Sequence, residues 1–294
     1  MKIACSLGLL AVFAVTPDVA SATEALDAVL AADSAFATLS LERGQQLAFQ
    51  ENLADDGILF RPTAVAGLEW LATHEQASGR LEWSPAAGAA ACTGLLAVTT
   101  GSWKYSNVES GDVTAGHYLS VWRVQPDGRW RVVLDHGIDH VPGASPAVAL
   151  PAAFAALWPE VPAKACRAAR RSESLEEAER NLNDVIRSNG LGQALRRSAV
   201  DGALAYRDDS PPGPLEVTAR SMDAAFAAGS ESRPQVVSAE PGSNMGYSFG
   251  EISAPAQGPS PPARAVYVRV WQSDGKRWRI AIDMLTPLAA DGSP

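Results

Sequence analysis

Beyond its N-terminal segment the chain has no apolar run long enough to cross a bilayer, which takes about 20 consecutive residues. It also has no clustered basic face. Acidic residues outnumber basic ones, 33 to 24. The one small basic group, Lys164, Arg167, Arg170 and Arg171, is followed at once by Glu173, Glu176 and Glu177. A nucleic-acid partner, which needs such a face, is therefore not expected. Missing too are a Gly-rich phosphate loop and a Gly-x-Ser-x-Gly elbow, and His74-Glu75 lacks the second histidine of a zinc-protease helix. Cysteine is scarce, with three in the chain. Cys5 falls within a segment where Lys2, an apolar core from Ile3 to Val15 and Ala20-Ser21-Ala22 have the layout of a secretory signal. The expectation is an exported protein, periplasmic or secreted, with no membrane contact once residues 1–22 are removed. Cys92 and Cys166 then remain, free to form one disulfide in an oxidising compartment or to stay as separate thiols.

What is present is a duplication. Tyr118-Leu-Ser-Val-Trp122, an Asp127-Gly128 turn, Trp130 and Val132-Val133-Leu134-Asp135 recur as Tyr267-Val-Arg-Val-Trp271, Asp274-Gly275, Trp278 and Ile280-Ala281-Ile282-Asp283. Each copy has the alternation and turn residues of an antiparallel hairpin. The spacing between copies is far too long for a solenoid repeat, so a whole domain is repeated. The expected division is a signal over 1–22, a first domain over 23–142, a Pro/Ala-rich linker over 143–172 and a second, divergent domain over 173–288.

Helical spacing of Leu26, Val29, Leu30 and Phe36 predicts a helix over 24–39, with others over 41–53 and 66–74. Strands are expected at 58–61, 80–84, 89–92 and 95–105, then the hairpin. Gly137 and Pro142 should bend residues 136–140 into a loop. In the second copy, Ser174-Leu-Glu-Glu177 is a capping box that opens a helix, and 211–214 and 255–262 read as proline-rich loops. Helices followed by a mostly antiparallel sheet give an α+β fold with helices on one sheet face. A strongly curved sheet of that kind makes a cone with a pocket at its open side.

Several stretches carry a family pattern: Ala32 to Ser40, Asp55-Asp56-Gly57-Ile58-Leu59-Phe60-Arg61-Pro62, Gly67 to Leu71, Leu81 to Pro85, Thr99 to Trp103, and Gly116 to Asp135. Together they resemble the NTF2-like superfamily in its DUF4440, or SnoaL-like, group. The second copy keeps only the last hairpin and the Asp-Gly strand start. The resemblance implies two tandem NTF2-like cones. Because such domains commonly pair through their sheets, it also implies an intramolecular pseudo-dimer. The family's Ser-Gly-Asp-Leu-Gly-Tyr hairpin reads Thr93-Gly94-Leu95-Leu96-Ala97-Val98 here, so any role of that acid and tyrosine does not carry over.

All four histidines, His74, His117, His136 and His140, lie in the first copy, as do five tryptophans, Trp70, Trp83, Trp103, Trp122 and Trp130. If one cone works, it is the first. A small organic ligand would meet Arg61, Trp83, Trp103, Tyr105, His117 and Asp135. Asp135 and His117 are the candidate catalytic pair, with ketosteroid isomerase, which uses an aspartate and a tyrosine for proton transfer, as a related fold. An Arg61–Glu82 pair would orient a polar ligand or close the sheet. Asp135, His136, Asp139 and His140 are the one dense set of possible metal ligands, but nothing completes a familiar motif, and no metal or cofactor is expected. The reading is binding of a small, largely apolar molecule, or a scaffold. Two alternatives stay open: a hydrolase, isomerase or dehydratase using Asp135 with His117, Arg61 or Tyr105, and a protein-interaction module.

Overall fold

The structure is a computed structural model and describes residues 21–74, 79–159, 166, 173–255 and 262–289. The expected signal core, the basic group at 164–171 and most of the second proline-rich loop lie outside these residues. No helix among the described residues is long and apolar enough to cross a membrane.

The first unit is built from α1 (Ala22–Arg43), α2 (Gln45–Asn52), β1 (Leu53–Phe60), β2 (Ala64–Ala66), α3 (Gly67–Thr73), β3 (Gly79–Ala90), β4 (Leu96–Asn107), β5 (Val113–Val124) and β6 (Trp130–His140). A short helix, α4 (Leu150–Leu157), follows. The second unit repeats the order with α5 (Leu175–Asn189), α6 (Leu191–Ser198), β7 (Ala199–Arg207), β8 (Ser210–Pro214), α7 (Leu215–Ala225), β9 (Glu231–Ala239), β10 (Met245–Ser253), β11 (Arg264–Ser273) and β12 (Trp278–Leu288). The two sheets run β2-β1-β6-β5-β4-β3 and β8-β7-β12-β11-β10-β9, which is one topology twice. The fold is therefore α+β, with two tandem cone units.

Local chemistry explains the ends of these elements. Ser21 and Glu24 form a capping box on α1, and Ser174 and Glu177 form the same box on α5. Each box satisfies amides that a first helical turn leaves without partners. Gly44 and Gly190, at φ 90° and 87°, let the chain turn from one helix straight into the next. Both last hairpins carry a register shift at the same place, Val121/Trp122 and Val270/Trp271. Such a bulge adds twist and bend to a sheet.

Three expectations from the sequence are corrected. Residues 89–92 do not make a strand of their own: β3 runs on to Ala90 through a bulge between Pro85 and Ala87. Residues 136–140 are strand, because Gly137 pairs with Tyr118 and leaves room for the Trp103 ring, 3.2 Å from where its Cβ would stand. Residues 210–214 form the edge strand β8, a place where proline's missing N–H is tolerated.

Period-two alternation gives each sheet two different faces. On one face, Leu96, Val98, Leu119, Val121 and Leu134 of the first unit share a single buried cluster with Met245, Phe249, Val266, Val268, Val270 and Met284 of the second. The two sheets thus pack face to face. Burying each such side chain contributes about 1.5–3 kcal/mol. The opposite faces hold separate cores with the helices, around Phe36, Phe49 and Trp122 in one unit and Leu182, Ile186 and Trp271 in the other. Cys92, in the β3–β4 hairpin, is disulfide-bonded to Cys166, their Cα atoms 6.0 Å apart.

Candidate functional site

The helix-facing side of the first sheet encloses a cavity of about 490 Å³ between α1, α2, β3, β4, β5 and β6. Its walls are aromatic: Phe36, Phe49, Trp83, Trp103 and Tyr105 line it. Phe36 sits edge-on to Phe49 and Trp83, with ring centroids 4.8 and 4.7 Å apart. The polar groups gather at one end, where Arg61, Ser120, Asp135, His136 and Thr286 meet. Thr286 comes from the second unit.

Asp135 is the chemical centre of this group. β5 and β6 place Ser120 directly opposite it, and the Ser120 hydroxyl donates to its Oδ1 at 2.6 Å. Burial pushes the Asp135 carboxyl up to about 6, against the hydrogen bond from Ser120 and the positive charge of Arg61. Arg61 stands at the mouth, where its Nη1 donates to the Phe60 carbonyl at 2.6 Å and its guanidinium lies 5.1 Å from the centre of the Trp70 ring. Behind the wall, Asp33 of α1 is fully buried. It accepts from Trp83 Nε1 at 2.9 Å and from the Tyr118 hydroxyl at 2.8 Å. Burial raises the Asp33 pKa while those donors pull it down, and it raises the Tyr118 pKa with the help of the Asp33 charge.

Of the residues expected at the site, Arg61, Trp83, Trp103, Tyr105 and Asp135 line this one cavity. His117 does not join them. It is odd-numbered on β5, like Leu119 and Val121, so it faces the second sheet, where its Nδ1 lies 2.7 Å from His140 Nε2. Burial, and then the His140 charge, lower the His117 pKa to about 4. Asp135 is therefore paired with Ser120 rather than His117. The Arg61–Glu82 pair does not form either: Glu82 lies on the outer face of β3 and pairs with Lys104 at 2.8 Å and Arg80 at 3.1 Å. The cluster at 135–140 diverges, because His136 Nε2 reaches Thr286 Oγ1 at 2.7 Å while its ring stacks on Phe60. Burial, and then the Arg61 charge, bring His136 down to about 3. No three metal-ligating side chains gather among the described residues.

Sequence reasoning did not single out Ser120, Asp33, Phe36, Phe49, His136 or Thr286 for this site. Ser120 had a signal, since alternation puts it on the face of Tyr118 and Trp122. Thr286 had none, because it arrives from the other half of the chain.

The equivalent place in the second unit is closed. Register fixes the correspondence: Asp135 pairs with Ser120 and Leu59, and Asp283 pairs with Arg269 and Ala205. Arg269 therefore stands where Ser120 stands, and Arg207 where Arg61 stands. The Arg269 side chain is fully buried and bridges Glu179 of α5 at 2.8 Å and Asp283 at 3.1 Å. Arg207 adds a contact to Asp283 at 2.6 Å. Glu179 also accepts from Tyr267, as Asp33 does from Tyr118. Arg269 and Asp283 are fully buried, and Glu179 nearly so. Another cavity, of about 340 Å³, lies between α1, β3 and α4, and no titratable group lines it.

No family model matches the chain, and no curated protein matches it. Solved structures do. An NTF-2-like protein of unknown function from Shewanella oneidensis is 18% identical, covering 38% of this chain and 96% of its own, with a TM-score of 0.31. A ketosteroid isomerase-like protein from Erwinia carotovora is 20% identical over 40% of this chain and 98% of its own, with a TM-score of 0.32. A Delta 5-3-ketosteroid isomerase from a Mycobacterium species is 16% identical over 37% and 90%, with a TM-score of 0.30.

Proposed function

We propose that the first cone binds a small, largely apolar organic molecule, and that the second unit is its sealed structural partner in a fused pseudo-dimer. The contrast between the two cones carries this reading. At equivalent positions, one holds an aromatic-walled cavity with an accessible carboxylate, and the other a guanidinium buried between two carboxylates. The volume, about 490 Å³, suits a ligand of a few fused rings, since small-molecule sites run from about 300 to 1,000 Å³. The polar end would fix the ligand's orientation and the aromatic walls would supply most of the buried area. Export belongs to the same proposal, because the Cys92–Cys166 disulfide suits an oxidising compartment.

A proton-transfer enzyme is the second reading, favoured by one observation: Asp135 is held near neutrality, where a carboxylate both accepts and returns a proton. Ser120 and Arg61 are the groups placed to steady its charge. His117 has no part in this version, because it faces the other sheet. The sheet faces that an interaction module would offer already cover each other.

Thermal-shift screening of uncharged and charged aromatic compounds tests the binding reading. Ligands should stabilise the wild type, and Trp103→Ala should abolish the shift. Equal shifts in both proteins would place the ligand elsewhere. Stabilisation by zinc alone, dependent on His136 and His140, would replace the organic ligand with a metal.

A further inference from the structure

The two cones differ by one positive charge. The second holds two carboxylates, Glu179 and Asp283, and two guanidiniums, Arg207 and Arg269, all within one bonded set. The first keeps both carboxylates, as Asp33 and Asp135, but has only Arg61, and Ser120 stands where Arg269 would. Arg61 does not make up the difference. Where Arg207 binds the Asp283 carboxylate, Arg61 turns to the Phe60 carbonyl and the Trp70 ring. Asp139 adds a further negative charge to the lining. Ser120, at the position of Arg269, lines the open cavity together with Asp135 and the rings of Phe36, Trp83 and Trp103. Ring faces attract a cation, and a carboxylate binds a charged donor group more strongly than a neutral one.

We propose that the first cone takes an organic cation, its amidine, guanidine or amine head held by Asp135 and its ring system packed among Phe36, Phe49, Trp83 and Trp103. The ligand's head then does in the first cone what the Arg269 guanidinium does in the second. The inference rests on the binding reading above and narrows it to a class of ligand.

Calorimetry on the full chain at pH 8 with 2-naphthamidine, 2-naphthamide and 2-naphthoate, which share a ring system and differ in head charge, tests it. The amidine should bind at least about tenfold more tightly than the amide, with the carboxylate weakest. Asp135→Asn should weaken the amidine at least about tenfold more than it weakens the amide and so remove that preference, a difference that loss of folding would not produce. Ser120→Arg, which copies the second cone's arrangement into the first, should abolish binding of all three. If the amide or the naphthoate binds as tightly as the amidine, and Ser120→Arg still blocks it, the cationic class is wrong and the binding site stands. If the amidine binds best but Asp135→Asn leaves its preference intact, the assigned carboxylate is wrong. If none of the three binds the wild type, both the class and the site reading fail.

Discussion

Replacing Asp135 by Asn should stabilise the protein, and only above about pH 5. Asp135 sits among aromatic rings with one neutral donor, Ser120, at 2.6 Å. The charged groups acting on it are Arg61 at the mouth and Asp33 from α1, which oppose each other. Folding raises its pKa from 3.8 to about 6. A carboxyl raised in this way holds its proton more tightly in the folded state. Stability is therefore greatest while it is protonated and falls as pH climbs from about 4 to about 6. Two pKa units correspond to about 3 kcal/mol. Solvent in the open cavity screens part of this, leaving about 1–2 kcal/mol. Asn keeps the shape and removes the charge, so at pH 8 the variant should melt about 3–6 °C higher than wild type for a chain of this size. At pH 4 the two should coincide. The low pKa of His136, about 3, adds a pH dependence of its own, but it is common to both proteins and cancels in the difference. Circular dichroism melts in steps from pH 4 to 8 provide the measurement. A variant that melts lower at pH 8, or a gain that persists at pH 4, would refute the description of Asp135 as a carboxylate lacking a full partner.

The sealed cone should respond in the opposite sense. Arg269→Met strips the guanidinium from Glu179 and Asp283 while both stay buried, which should cost about 3–5 kcal/mol, read by urea unfolding. A loss below about 1 kcal/mol would mean the cluster contributes little. Cys166→Ser opens a covalent loop with a sequence separation of 74, and the chain-entropy relation puts that loss at about 4 kcal/mol. Unchanged melting under reducing conditions would show that the bridge adds nothing.

Much of this architecture was legible because strand patterns are local. The Tyr-x-x-x-Trp strand, the Asp-Gly turn and the second Trp fix a hairpin, and a hairpin fixes its own register. Repetition of that hairpin revealed the duplication, and the structure sets Trp122 and Trp271 on equivalent strands, β5 and β11. The capping box at Ser174 marked the start of the second unit's first helix for the same local reason. The site was harder to see because its geometry is set across strands. Trp83, Trp103, Tyr105 and Asp135 converge because each sits on the helix-facing side of its strand, with Arg61 just past the end of β1, whereas His117 is out of phase and lands on the opposite face. Alternation along β5 assigns it to that face. The same count would have shown Ser120 and Arg269 as the one decisive difference between Tyr-Leu-Ser-Val-Trp and Tyr-Val-Arg-Val-Trp. Nothing local could have brought Thr286 to His136, since that contact depends on how the two sheets pack.

One cone is open and the other is closed by its own arginine. Crystals of the full chain soaked with single-ring and two-ring aromatic fragments, charged and uncharged, test it most directly. Fragment density is expected between Trp83, Trp103 and Asp135, and none between Glu179, Arg269 and Asp283. Fragments collecting in the second cone, or a first cone that stays empty while other surfaces fill, would contradict it.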